Sequence, residues 1–124
     1  MTTNTLVTLH GVRVLRIAAE GPPLDGEQAA LDLIGDAMGQ EAELVAVPVE
    51  RVADEFFRLR SGVAGAVMQK FVNYRQRLVI VGDVSRHVSE STALRDFVHE
   101  TNQGGQVWFL ADEDALDARL RPAG

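Results

Sequence analysis

Two short apolar runs open the chain, Leu6 to Leu9 and Val12 to Ile17, and they meet at His10-Gly11. That pattern predicts a β-hairpin, with the glycine supplying the positive φ a tight turn requires. Thr8, Arg13 and Arg16 interrupt the runs, so these strands are expected to keep a wet face or lie near a sheet edge. Gly21-Pro22-Pro23 ends the hairpin because proline cannot continue a ladder.

A helix is then expected from Asp25, with Gln28 three residues on completing a capping-box pattern. Ala30, Leu33, Ile34, Ala37 and Met38 follow the spacing of one buried helical stripe, and Gly39 is where it should end. Three later runs are apolar without alternation: Leu44 to Val47, Leu78 to Val81, and Val107 to Leu110. Strands apolar on both sides are buried on both sides, as central parallel strands are.

Helical patterns separate these runs, as parallel crossovers demand. The first carries Ala64, Val67, Met68 and Phe71. The second carries Leu94, Phe97, Val98 and Thr101 and ends at Gly104-Gly105. A last helix starts at Asp112, with acids in its first turn, Arg119 and Arg121 in its last, and Pro122 after it. That order suits the helix dipole. The pattern predicts a single α/β domain of order β-β-α-β-α-β-α-β-α, a mixed sheet with three central parallel strands and helices packed on it.

Composition narrows the chemistry. A hydrophobic share of 46% over 124 residues suits one globular core. No apolar run approaches the roughly 20 residues of a membrane span, so no membrane partner is expected. The first residues lack the basic start and long apolar stretch of a signal peptide, and there is no cysteine. The expected location is therefore the cytoplasm. A net charge of −6, with five Phe, one Tyr and one Trp, disfavours nucleic acid, which needs a basic face or a stacking platform. Charge is nonetheless uneven. No acid lies between Glu55 and Asp83, whereas Arg58, Arg60, Lys70, Arg75 and Arg77 all fall there.

In open α/β sheets, ligands bind outside the carboxyl ends of the parallel strands. Here that rim is expected to gather Glu50 and Arg51, then Gly82, Asp83, Ser85 and Arg86, then Asp112, with Ser61-Gly62 opening the adjoining helix. Ser61 reads as a helix cap or a phosphoacceptor, beside an anion or partner surface of Arg58, Arg60, Gly62, Arg75, Asp83, Ser85 and Arg86. Asp83 and Asp112 could chelate a divalent cation if their strand ends are adjacent, but Asp112 serves as a helix cap and Gly82-Asp83 reads as an ordinary turn, so neither a metal nor another cofactor is expected. On the second crossover helix, Arg95 and His99 sit four apart, as do Asp96 and Glu100. Like charges at that spacing repel mildly, so this face reads either as solvated charge or as a surface whose partners come from elsewhere in the chain or from another subunit. No nucleophile elbow, phosphate loop, dinucleotide fingerprint or zinc helix is present, so no catalytic residue is named.

The words Phe56-Phe57-Arg58-Leu59-Arg60-Ser61-Gly62-Val63-Ala64-Gly65, Gln69-Lys70-Phe71-Val72-Asn73-Tyr74-Arg75, Val81-Gly82-Asp83 and Leu94 to Asn102 resemble a bacterial family called domain of unknown function 4180. The likeness is closest over residues 50 to 110 and implies no activity. The element order is also similar to STAS domains, anti-sigma-factor antagonists that bind partner kinases and are switched by phosphorylation. Only Ser61-Gly62 matches their phosphoacceptor motif. No Asp-Ser precedes the glycine, and residues 50–60 intervene.

Two functional expectations follow from these residues. The first is a small non-catalytic regulatory or protein-interaction domain that works through the strand-end rim, with homodimerisation through a helix face. The second is a small enzyme or binder of an anionic metabolite that uses Arg58, Arg60 or Arg75, with Asp83 as an acid or base.

Overall fold

The computed structural model describes residues 4–122. Strand β1 (Thr5–Leu9) turns through His10 and Gly11, with φ values of 51° and 82°, into antiparallel β2 (Val12–Arg16). Both turn residues are left-handed, the pairing that matches the twist of a two-residue hairpin. Strands β3 (Leu44–Pro48), β4 (Arg77–Val81) and β5 (Val107–Leu110) continue the sheet in the order β1-β2-β3-β4-β5, and β2 to β5 all run parallel. The fold is mixed α/β, as the apolar runs predict. The parallel set has four members, however, because β2 belongs to it, and β5 is an edge strand. Its apolar run has another cause: helices cover both of its faces.

Helices α1 (Glu27–Gly39), α2 (Val63–Asn73) and α4 (Thr92–Gln103) fill the crossovers. Each crossover steps one strand in the same direction, and crossovers of constant hand then stack on one face. Ala30, Ile34, Ala37, Val67, Phe71 and Leu94 accordingly pack against Leu15, Val45, Val47, Leu78, Ile80 and Phe109 in one core. Helix α5 (Glu113–Leu120) crosses to the other face, where Leu116 and Leu120 meet Val14, Leu44, Ala46, Val79 and Trp108. The guanidinium groups of Arg77 and Arg119 lie over the Trp108 ring, 4.7 and 4.5 Å from its centre. The ion pair Arg16–Glu113 at 2.9 Å and the His10–Asp117 hydrogen bond at 3.0 Å tie α5 to the hairpin.

Three elements depart from the pattern. Helix α1 begins at Glu27, not Asp25; its cap is Gly26 without a side-chain bond, and Gln28 bonds Asp32 at 2.9 Å instead. Just before it, Leu24 pairs through a parallel bridge with Val52, which ties this end of the loop to the segment after β3. A short helix α3 (Ser85–Ser89) precedes α4 where the sequence pattern shows only a loop. Residues between β3 and α2 form three successive 3-10 turns, Val49–Arg51, Asp54–Phe57 and Leu59–Ser61. The Arg51 guanidinium donates to the carbonyls of Ala18, Glu20 and Pro22, stitching the first turn to the loop before α1.

Candidate functional site

Because β3 and β4 are parallel neighbours, the 3-10 segment and α3 leave the sheet at the same end and face each other. Between them lies an open cleft of about 720 Å³, bordered by Asp54, Phe57, Arg58, Arg60, Arg86, His87 and Glu90 among others. That is within the roughly 300–1,000 Å³ of small-molecule sites.

The wall is anchored to the core by an aromatic column. Phe109 of β5 meets Phe56 at 6.2 Å, Phe56 meets Phe57 edge-on at 5.4 Å, and Phe57 stacks on His87 at 4.1 Å with rings 10° apart. Phe56 and Phe57 are buried, so this column sets the position of the His87 ring at the cleft surface. Leu59 turns inward onto the core, which pushes its neighbours Arg58 and Arg60 outward. Neither guanidinium makes a hydrogen bond or ion pair with a described residue. Arg86 lies 3.7 Å from Asp54 and 3.3 Å from His87 Nε2. A guanidinium only donates, so Nε2 is the acceptor in that contact. Three arginines thus border one cavity together with Asp54 and Glu90, and two of the three make no ion pair. This arrangement can hold a carboxylate, sulfate or phosphate group through charge-assisted hydrogen bonds.

The remaining expected residues divide by location. Ser61 and Gly62 sit beside the cleft at the start of α2 but do not border it. The Ser61 hydroxyl donates to the Glu55 carbonyl at 2.6 Å and accepts from Val63 N–H at 3.1 Å, so it joins the second 3-10 turn to α2. Asp83 closes a small turn by accepting from Ser85 N–H at 2.9 Å. The Ser85 hydroxyl, and then that N–H, hold the Asp83 carboxyl below its ordinary value. Asp112 accepts from Ala115 N–H as the cap of α5. Both carboxylates therefore serve their own backbones, and no group of three or more metal-ligating side chains occurs among the described residues.

Arg75 is a correction. It lies in the turn between α2 and β4, at the amino ends of the strands, with φ 57°. A crossover helix runs back along its sheet, so it carries Arg75 to the end opposite the cleft. Arg95, Asp96, His99 and Glu100 are exposed on α4. Arg95 approaches its neighbour Asp96 at 4.0 Å and His99 bonds Gln103 at 2.9 Å, so no other element of the described chain compensates this face. The sequence pattern missed Asp54, Phe57, His87 and Glu90. They come from segments without periodicity, and the Phe57–His87 contact spans 30 positions. Phe56-Phe57, an aromatic pair outside any regular pattern, was the one available signal.

The family model described as Domain of unknown function (DUF4180) matches residues 9–120. The chain belongs to this family. The DUF4180 match takes in every residue bordering the cleft and all of α5. No curated protein and no solved structure matches the chain. No helix among the described residues is long and apolar enough to cross a membrane.

Proposed function

We propose that this protein is a non-catalytic cytoplasmic binding module that takes an anionic group into the cleft between the 3-10 segment and α3. The observation that carries this reading is the convergence of Arg58, Arg60 and Arg86 on one ligand-sized concavity, the first two without acidic partners. An uncompensated pair of arginines at a rigid aromatic wall gains most from a ligand that supplies the missing charge. The similarity of the element order to STAS domains favours regulation by binding over turnover. The Ser61 hydroxyl is already engaged on both sides, which supports a structural role for it rather than a phosphoswitch.

Inorganic sulfate is the direct probe, since it remains a dianion across the working pH range. Titrated against chloride at matched ionic strength, sulfate raises the thermal midpoint of the wild type. At 100 times its Kd the stabilisation is about 2.7 kcal/mol. The double variant Arg58→Ala/Arg60→Ala keeps its sulfate-free midpoint within about 0.5 kcal/mol, as exposed substitutions do, and loses the sulfate response. Equal responses in both proteins, or none in the wild type, end the proposal.

A second reading places an acidic segment of a protein partner in the same cleft. Its support is the openness of the cleft and the uncompensated α4 face that carries Arg95, Asp96, His99 and Glu100. Competition between sulfate and an acidic peptide for the same arginines distinguishes it from a surface unrelated to the cleft.

A further inference from the structure

The two edges of the sheet are finished differently. On β5, the groups facing β4 belong to Gln106 and Leu110, which accept from Leu78 and Gly82, so Val107 and Phe109 face outward. The Asn102 side chain reaches back from α4 and takes both outward groups of Phe109. Its Nδ2 donates to the carbonyl at 3.0 Å and its Oδ1 accepts the N–H at 2.6 Å. A side-chain amide thus stands where a neighbouring strand would bond, and that edge is closed at its centre.

On β1 no described residue forms such a guard. Arg13 and Ile17 of the β2 segment bond toward β3, through Glu43 N–H to Arg13 O at 2.8 Å and Ile17 N–H to Ala46 O at 2.9 Å. Val12, Val14 and Arg16 therefore face β1, where their partners are Leu9, Val7 and Thr5. Leu6 and Thr8 are left pointing away from the sheet, and no described side chain bonds to them. The strand Thr5-Leu6-Val7-Thr8-Leu9 carries no charge, no proline and no bulge, the devices that ordinarily blunt an edge.

We propose that this protein forms a two-fold homodimer by antiparallel pairing of β1 with β1 of a second copy. The edge is self-complementary in one register. Leu6 opposite Thr8 of the second copy, and the reverse, exchange all the outward N–H and C=O groups in four hydrogen bonds, with Val7 opposite Val7 between them. Residues opposite each other share a face, so Val7 meets Val7 on one side of the sheet and Leu6 faces Thr8 on the other. A chain of net charge −6 repels its copy, and the uncharged strand is where the two approach without placing like charges in register. Because the β5 edge is closed by Asn102, pairing stops at two copies and one continuous sheet rather than growing into a filament. Strand pairing alone buries little area, so the dimer dissociates on dilution.

The test combines sedimentation over a concentration series with amide hydrogen exchange. The wild type moves from the chain mass to twice that mass as concentration rises, and the Leu6 and Thr8 amides gain protection in step. Thr8→Pro removes an outward N–H without touching a β1–β2 bond and stays monomeric throughout the series. Should Thr8→Pro misfold, Thr8→Lys places on the exposed edge the charge that guarded edges carry, and it too stays monomeric. A wild type monomeric at every concentration overturns the proposal. So does a dimer whose Leu6 and Thr8 amides remain unprotected, assembly beyond two copies, or undiminished dimerisation in both variants.

Discussion

Gly82, immediately after β4, has φ 144°, and a Cβ there would lie 2.5 Å from Val49 Cγ1 and 2.8 Å from Val49 Cβ. Both the backbone angle and the space belong to glycine at this position. The close approach lets the chain leaving β4 pass the chain leaving β3, and those two exits carry the opposite walls of the cleft. Gly82→Ala is expected to lower stability by about 1–3 kcal/mol through strain and overpacking. Urea denaturation measures this, and an unchanged midpoint would show that the exits are not in contact. Arg58 and Arg60 contrast with it at the same scale. Their side chains make no hydrogen bond or ion pair with the described chain, so their removal is expected to affect chiefly what the cleft binds.

Among the elements, α5 is the most dependent on its surroundings. It has eight residues, one of them fully buried, and isolated helices of that length do not persist in water. Its docking rests on Leu116, on the Trp108 stack, and on charge pairs with the hairpin. The Arg121 guanidinium, 2.7 Å from Asp117, holds that carboxyl below its ordinary value of 3.8, with His10 adding to the effect and partial burial opposing it. A carboxyl whose value is depressed in the folded chain stabilises it fully above the ordinary value. That contribution disappears as pH falls through the lower, folded value. Asp117→Asn is therefore expected to be less stable than the wild type at pH 7 and equal to it once pH lies well below 3.8. Urea midpoints at pH 7 and in strong acid check this. A deficit that persists unchanged in acid would mean the loss is not electrostatic.

Across the whole molecule, the two proposed surfaces use different elements. The cleft lies between the exits of β3 and β4, whereas the open edge is β1, separated from the cleft strands by β2. Coupling between sites requires an element that both bias, and none is shared. The sulfate response of Thr8→Pro should therefore match that of the wild type, and Arg58→Ala/Arg60→Ala should dimerise normally. Altered dimerisation in the arginine variant, measured by sedimentation with and without sulfate, would show that the surfaces communicate. The one-way strand order also matters here. It places α1, α2 and α4 on a single face and leaves the second face to α5, so the molecule has no point where strand order reverses. The cleft is built from the long β3–α2 connection and α3, not from a crevice between helices on opposite faces.

Much of this architecture was legible in the letters, because period and burial are local. The runs at Leu44, Leu78 and Val107 specify strands, the stripes from Ala30, Ala64 and Leu94 specify helices, and His10-Gly11 specifies the hairpin. Asp112 reads correctly as a cap because its bond reaches only three residues ahead. Contacts between distant segments decided the rest. Leu24 bridged to Val52, Asn102 closed one edge of the sheet, and Phe57 stacked on a histidine 30 residues away. Arg75 fell at the far end of a helix from Arg58 and Arg60, although all three share one acid-free stretch of sequence. Periodicity records which face of an element is buried. Which residues of different elements meet depends on strand order and helix direction, and those are properties of the packed sheet.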